Sequence, residues 1–323
     1  MLTHLLSLFK IRYLLKTGCL ASFLLLNGCA TPPQTQQLMH NLSPATALAA
    51  DIKNVPFYTQ QAFYCGPTTL AEVFEYNDIK RLPEEIAPQL FIPKRKGSLQ
   101  LEMVAATRQQ GLLAYTERGN LKKLLYFVQN NIPVVVLQNL GLSWYPMWHY
   151  AVVKGYDLTT QKLILHTGDV ENRQVGLSVF ERTWQRANFW FLIALPVDHS
   201  LTQLEPFTYV SSAQDLITVK QPSAGVTHLK NATILWPDYW LSYFLLGNYF
   251  LENAQTNENI KKAIFWFEKG YSYSAQQSLY LNNYAFALYK DNQLEKAKEI
   301  ILQAEQLTPN NPNILATKND IFE

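Results

Sequence analysis

In the stretch FYCGPTTLAEVF, residues 63–74, a single cysteine stands where an irregular segment turns into a helix. Pro67 fits just inside that start, because its missing N–H lies among the unbonded ones of the first turn. A thiol there feels unpaired N–H groups and the positive end of the helix dipole, which are expected to lower its pKa toward thiolate. Nucleophilic work also needs a base. Of the six histidines, His4, His40, His199 and His228 lie outside the segment that carries Cys65, in regions of other character. His149 and His166 lie inside it. His149 heads the strand-like run WHYAVV, where a side chain can point off a sheet edge. His166, near the end of the next run, reads as a satisfied sheet histidine. No Cys/His cluster has metal-ligand spacing, so no metal is expected, and no residue pattern implies a cofactor.

The elements that must hold these groups follow from hydrophobic period. After Cys65, Leu70, Val73 and Phe74 share one helical face. SLQLEMVAATRQQG reads as a second helix with Ser98 as N-cap and Gly111 as stop, and NLKKLLYFVQNN as a third. Then come IPVVVLQNL, WHYAVVKGY, KLILHTG and FWFLIALP, rich in β-branched and aromatic residues and bounded by turn residues. Helices first and clustered strands after predict an α+β unit over 54–197 with a mainly antiparallel sheet.

From about residue 206 the strand pattern stops and small residues recur. Ala213, Leu216, Gly225, Leu229, Ala232 and Pro237 are followed one repeat later by Leu246-Gly247, Phe250, Ala263, Phe267 and Gly270. Ala285, Ala297, Ala304 and Pro309 come next. The offset is about 34 residues, the length of a tetratricopeptide unit, with a short insertion in ENAQTNENIKK. Three units are expected, 206–239, 240–277 and 278–311, followed by a tail at 312–323. Such stacks present concave surfaces that bind peptides or partner proteins.

The N-terminus is a targeting segment. Lys10, Arg12 and Lys16 precede the apolar CLASFLLLNG, which is too short to span a bilayer. The run Leu26–Cys29 resembles the lipobox of bacterial lipoproteins, which implies removal of residues 1–28 and lipid on Cys29. Ala30 follows, where an Asp would signal inner-membrane retention, so the expected place is the outer membrane, facing the periplasm. Residues 29–53, polar and with prolines, read as a tether. Of Cys19, Cys29 and Cys65, only Cys65 then remains a free thiol, in an oxidising compartment where no intramolecular partner exists. A net charge of +2 with no long run of one sign gives no reason to expect nucleic acid.

The order of a helix-borne Cys and a downstream strand-borne His resembles the papain-like cysteine peptidases. Within them, VPFYTQQAFYCGPTTLA, NIPVVVL and HYAVVKGY resemble the bacterial double-glycine leader peptidases that process bacteriocin precursors. KGSLQLEMVAATRQQG, LQNLGLSWYPMWHYAVVKGYD and VFERTWQRANFWFLIALP resemble bacterial lipoproteins that join such a domain to tetratricopeptide repeats. The resemblance implies Cys65 as nucleophile and His149 as general base and acid. It implies Gln60 as the side-chain donor that joins the Cys65 N–H in an oxyanion hole. Gln60 lies five residues before the cysteine, where six is more usual, and Gln61 is its rival.

The same family pattern places an Asp on the strand after the histidine to orient it, and here that slot falls at Thr167. Two acids compete nearby. If 149–156 and 162–169 form a hairpin centred on Thr159, position 149 lies opposite 169, with cross-strand neighbours about 5 Å apart. Asp157 would be roughly 26 Å from His149 along an extended strand. Asp169 is therefore the expected third member, with Thr167 as a hydroxyl substitute one diagonal step away. Trp144, Tyr145 and Trp148 could wall a substrate groove, and Lys94, Arg95 and Lys96 form a short basic loop.

These readings combine into a lipid-anchored thiol peptidase with a peptide or protein substrate and repeats that bind a protein partner. Two alternatives remain: a degenerate peptidase fold that binds peptides without cutting them, and a thioester acyl transferase. Labelling of Cys65 at mildly acid pH separates the first, and product mass with added amines the second.

Overall fold

The computed structural model describes residues 31–42, 47–91, 97–199 and 201–323. The signal segment 1–28, the lipidation site Cys29 and the basic triplet Lys94, Arg95 and Lys96 lie outside the described residues. Among those described, a seven-stranded sheet has the order β2-β7-β3-β4-β5-β6, with β1 on the β4 edge beyond β3, and every pairing is antiparallel. The strands are β1 (Ala49–Asp51), β2 (Leu113–Arg118), β3 (Val134–Asn139), β4 (Trp148–Asp157), β5 (Lys162–Thr167), β6 (Val170–Gly176) and β7 (Trp190–Leu195). β3 is buried along its whole length, which explains its unbroken apolar run VVVL.

The helix that begins at the thiol, α2 (Cys65–Tyr76), lies over β3 and β4 on the face that carries Val152 and His166. α3 (Pro83–Leu90) and α4 (Gln100–Gln109) pack beside it. Gly66 permits the approach to α4, because a Cβ there would overlap the Ser98 side chain. The other face carries α6 (Leu177–Gln185), where Gln138 of β3 donates to Thr183 Oγ1 at 2.6 Å. α5 (Leu121–Gln129) completes the unit, opened by Asn120, whose side chain accepts from the Lys123 N–H.

Part of the segment expected as a tether is folded. Residues Pro33–His40 form α1, docked between α5 and α6. The fully buried Glu181 carboxylate accepts the N–H groups of Gln34 and Thr35 and the Thr35 hydroxyl, at 2.9, 2.6 and 2.7 Å. A carboxylate on the unpaired N–H groups of a first turn is what fixes an otherwise polar helix.

The C-terminal part is all helical. α7 (Pro206–Thr218) pairs with α8 (Pro222–Leu235), α9 (Trp240–Glu252) with α10 (Asn257–Gly270), and α11 (Ser278–Lys290) with α12 (Leu294–Leu307). The expected tail is instead a closing helix, α13 (Pro312–Phe322), capped by Asn311 and buried through Ile314, Thr317 and Ile321. The join to the α+β unit is also not a loose linker. Leu201 and Leu204 are buried, the Glu205 N–H donates to Tyr115 Oη at 2.9 Å, and Arg108 pairs with Asp215. One hydrophobic core runs from Ile52 through α7 and α8 to Leu246, and a second begins at Tyr243.

Candidate active site

Cys65 opens α2 and is half-buried. Its sulfur faces three backbone N–H groups, those of Tyr150, Gly66 and Cys65 itself. The Tyr150 amide is available because β5 pairs with β4 only from Val152 onward, so the first residues of β4 form a free edge on that side. The sulfur meets that edge at the Tyr150 N–H, one residue after His149. Burial nevertheless outweighs the three donors and pushes the thiol above its ordinary pKa. The depressed pKa expected from the helix start is therefore corrected: in this structure the resting group is a neutral thiol.

His149, the second residue of β4, is half-buried, and its Nε2 lies 2.7 Å from Thr167 Oγ1. Burial first, and the charge of Arg173 second, hold the imidazole below its ordinary pKa, so it too is neutral. With Nε2 engaged by the hydroxyl, Nδ1 is the ring nitrogen without a hydrogen-bond partner among the described residues. If Nε2–H donates to Thr167, Nδ1 carries the lone pair that a general base needs.

Asp169, the expected orienting carboxylate, does not take part. The β4–β5 register beyond Val153 is the expected one, with Val152 opposite His166. But β5 ends at Thr167, which already pairs with Val170 of β6, and Gly168 and Asp169 form the tight turn between them. Gly168 has φ +64°, a conformation that favours glycine, and the turn carries Asp169 out to solvent. Thr167, the expected substitute, is the residue that meets the imidazole. A bulge makes that meeting possible. Near the hairpin turn Gly155 pairs with Ile164, and Lys154 is the extra residue. Without it the register would slip by one and Thr167 would leave the face of His149. Lys154 is almost fully buried, and its Nζ is held at 2.5 Å by Asp51 Oδ1 and at 3.1 Å by Asn172 Oδ1.

The two glutamines separate cleanly. Gln61 is exposed and its amide points to Glu84 Oε1 at 3.4 Å. Gln60 donates its backbone N–H to Gly168 O at 3.1 Å, beside the corner that holds His149, and its side-chain Nε2 is buried with no hydrogen-bond partner among the described residues. A buried amide donor with no protein acceptor is costly unless a ligand oxygen completes it. The strap that carries Gln60 is fixed from both sides. The Tyr58 N–H donates to Glu72 Oε1 at 3.2 Å, the Tyr58 hydroxyl bonds Glu75, and His166 Nδ1 lies 3.1 Å from Pro56 O.

Glu72 and His166 were not singled out for this role by sequence, and only a carboxylate on the buried face of α2 hinted at it. Burial raises the Glu72 carboxyl to about 8 and lowers His166, so the two groups, 3.9 Å apart, face each other uncharged. Among the described residues no group of three or more His, Cys, Asp or Glu side chains could hold a metal ion.

A cleft of about 670 Å³ opens at Cys65, with Leu99, Leu137, Trp148, Tyr150 and Trp190 as its apolar wall. Beside it stands the uncharged hairpin 140–147, whose Trp144 and Tyr145 are 80% and 68% exposed. The hairpin is nonetheless well held. Asn139 Oδ1 accepts the N–H groups of Gly141 and Met147, and Arg186 bonds the carbonyls of Asn139 and Gly141.

Residues 52–190 match the Peptidase_C39 like family. Among solved structures, the chain is similar to one described as a C39-like peptidase from Bacillus anthracis. The two are 17% identical, with 46% of this chain and 97% of that one covered, at a TM-score of 0.39. It is also similar to a double glycine motif protease from an AMS/PCAT transporter, solved in complex with the leader peptide, at 23% identity. There 45% of this chain and 93% of that one are covered, at a TM-score of 0.36. The peptidase domain of Streptococcus ComA, a bi-functional ABC transporter of a quorum-sensing pathway, is 19% identical. It covers 44% of this chain and 99% of its own, at a TM-score of 0.35. No curated protein matches the chain in sequence.

Proposed function

We propose that this chain, with its Peptidase_C39-like domain over residues 52–190, is a thiol peptidase. The observation that carries the reading is the contact between His149 Nε2 and Thr167 Oγ1, in which Nε2–H donates and Nδ1 keeps the lone pair to serve the thiol at the head of the same strand. Nδ1 takes the thiol proton as the sulfur attacks the peptide carbonyl carbon. The resulting oxyanion accepts from the Cys65 N–H and the Gln60 amide, the buried donor that lacks a protein partner. The imidazolium then protonates the leaving amine, and the C–N bond breaks to give a thioester. Water, deprotonated by the same imidazole, hydrolyses the thioester and restores the thiol. Thr167 is a positioning residue. Unlike a carboxylate it brings no charge to stabilise the imidazolium, which fits a neutral resting pair.

The remaining parts of the proposal rest on sequence. Cys29 carries lipid and anchors the chain in the outer membrane, facing the periplasm. The helix pairs are three tetratricopeptide repeats that bind a protein partner or present the substrate. One second reading has an observation behind it: a raised thiol and a threonine in place of a carboxylate would suit a fold that holds peptides without cutting them. The test is a comparison of periplasmic peptides between the wild-type strain and a Cys65→Ala strain. Peptides that accumulate uncut in the variant support the peptidase, and identical profiles overturn it.

A further inference from the structure

The cleft has an order that follows from the sheet. Arg118 pairs across β2 and β7 with Trp190, and Leu137 pairs across β3 and β4 with Tyr150. The β3–β7 register, Val136 opposite Phe191, sets Leu137 beside Trp190 when carried one step further. Arg118, Trp190, Leu137 and Tyr150 thus form one row on one face, a residue per strand, and all four line the cleft. Trp190 meets Tyr150 edge-on at 5.8 Å, and the Tyr150 N–H faces the Cys65 sulfur. The row runs from the thiol to a guanidinium, with apolar side chains between.

Arg118 is the uncommitted cation of that row. It is exposed, and among the described residues no carboxylate lies within ion-pair distance of it. Its neighbour Glu117 points to the other face of β2 and is taken by Lys123 and the Tyr115 hydroxyl. Arg186, the other arginine of the cleft, already holds the hairpin carbonyls. Among the described residues, no Asp or Glu lines the cleft. A planar guanidinium at the end of an apolar floor fits a carboxylate, which it can grip with two parallel hydrogen bonds.

We propose that the cleft selects peptides that carry a carboxylate, bound by Arg118, at a fixed distance from the bond presented to Cys65. The inference rests on the peptide-processing reading above and adds a substrate class to it. β2 stands three strands from β4 in the sheet. At about 4.8 Å per strand that is about 14 Å, or about four residues of extended peptide at about 3.3 Å each. The carboxylate is either a Glu or Asp side chain at that spacing or the free C-terminus of the peptide.

The test uses the full chain with Cys65→Ala, so that binding is read without turnover. Immobilised protein is offered a randomised octapeptide library with Glu or Gln fixed at each position in turn. Each set is made with an amidated and with a free C-terminus, and retained peptides are counted by mass spectrometry. Enrichment of Glu over Gln by about fivefold at one position is expected for the side-chain source. Enrichment of free over amidated ends by a similar factor identifies the terminal source. Either must vanish in Arg118→Gln and return in part in Arg118→Lys. Absence of both preferences, or a preference that survives Arg118→Gln, overturns the proposal. Loss of cleavage by the chain with its thiol intact would instead overturn the peptidase reading, and leaves this binding result standing.

Discussion

His149 and His166 stand on neighbouring strands, and their surroundings divide them. His149 sits where β5 has already turned away, so its strand edge is open to the thiol of α2 and its ring is held by a single hydroxyl. His166 sits one position before that turn, is fully buried, and gives Nδ1–H to Pro56 O opposite an uncharged Glu72. Both imidazoles are held neutral by burial. The difference lies in their places: one at an open strand edge where the next N–H, that of Tyr150, faces the thiol, the other in a closed interior. In the proposed mechanism a histidine serves as base by its place at the end of a strand pairing, not by a pKa shifted in a direction unlike its neighbour's.

The widest separation of the two is in turnover. His149→Ala is expected to lower peptide cleavage about a thousandfold, the size of a lost general base. His166→Gln should cost less than about tenfold, since that group touches no reacting atom. The assay is release of the peptides that accumulate in the Cys65→Ala strain. Comparable losses in both variants would erase the distinction.

Stability separates them next. Glu72, raised to about 8 by burial, keeps its proton in the folded chain while the unfolded chain loses it near 4.5. Between those values the folded state binds one proton more, so stability falls with rising pH by roughly 1.4 kcal/mol per pH unit. Glu72→Gln, which keeps an acceptor for the Tyr58 N–H, should abolish that slope. Urea unfolding at pH 5 and pH 8 should therefore show the variant gaining on the wild type by a few kcal/mol at the higher pH. Parallel curves would mean that Glu72 ionises in the fold.

The smallest expected effect falls on the turn beside His149. Thr167→Ala should lower turnover by about tenfold, because a positioned imidazole loses its hydrogen bond to the Thr167 hydroxyl. Asp169→Ala, at the exposed tip, should leave turnover within about twofold. A reversed order would return the orienting role to the carboxylate.

The positions of Cys65 at a helix start, of His149 at a strand head and of both candidates near the turn were legible in the sequence, because residue type and strand period locate them. The choice between Thr167 and Asp169 was not. The hairpin register could be counted, but the place where β5 stops depends on Gly168 adopting φ +64° and on a bulge at Lys154, and both are tertiary outcomes. β6 escaped notice for a plain reason: VENRQVG is a polar edge strand, exposed for most of its length and without alternation. The direction of the Cys65 shift is not visible at a helix start, which is local, because the burial that outweighs the N–H donors is a tertiary outcome. Likewise α1 looked like a tether until Glu181, far away in the chain, supplied its missing hydrogen bonds. The helical character of the C-terminal part was plain from its small residues, since Gly247 against the Phe267 ring is a contact made between paired helices.

The central claim, that His149 activates Cys65, is tested most directly by the rate of Cys65 alkylation with iodoacetamide across pH. The rate is read by peptide mass mapping in the wild type and in His149→Ala. The wild type should react about a hundredfold faster at pH 7, and should hold that advantage down to the lowered pKa of the imidazole. The variant, left with a thiol raised by burial, should gain speed only above the ordinary thiol range. Identical profiles in the two proteins would contradict the account.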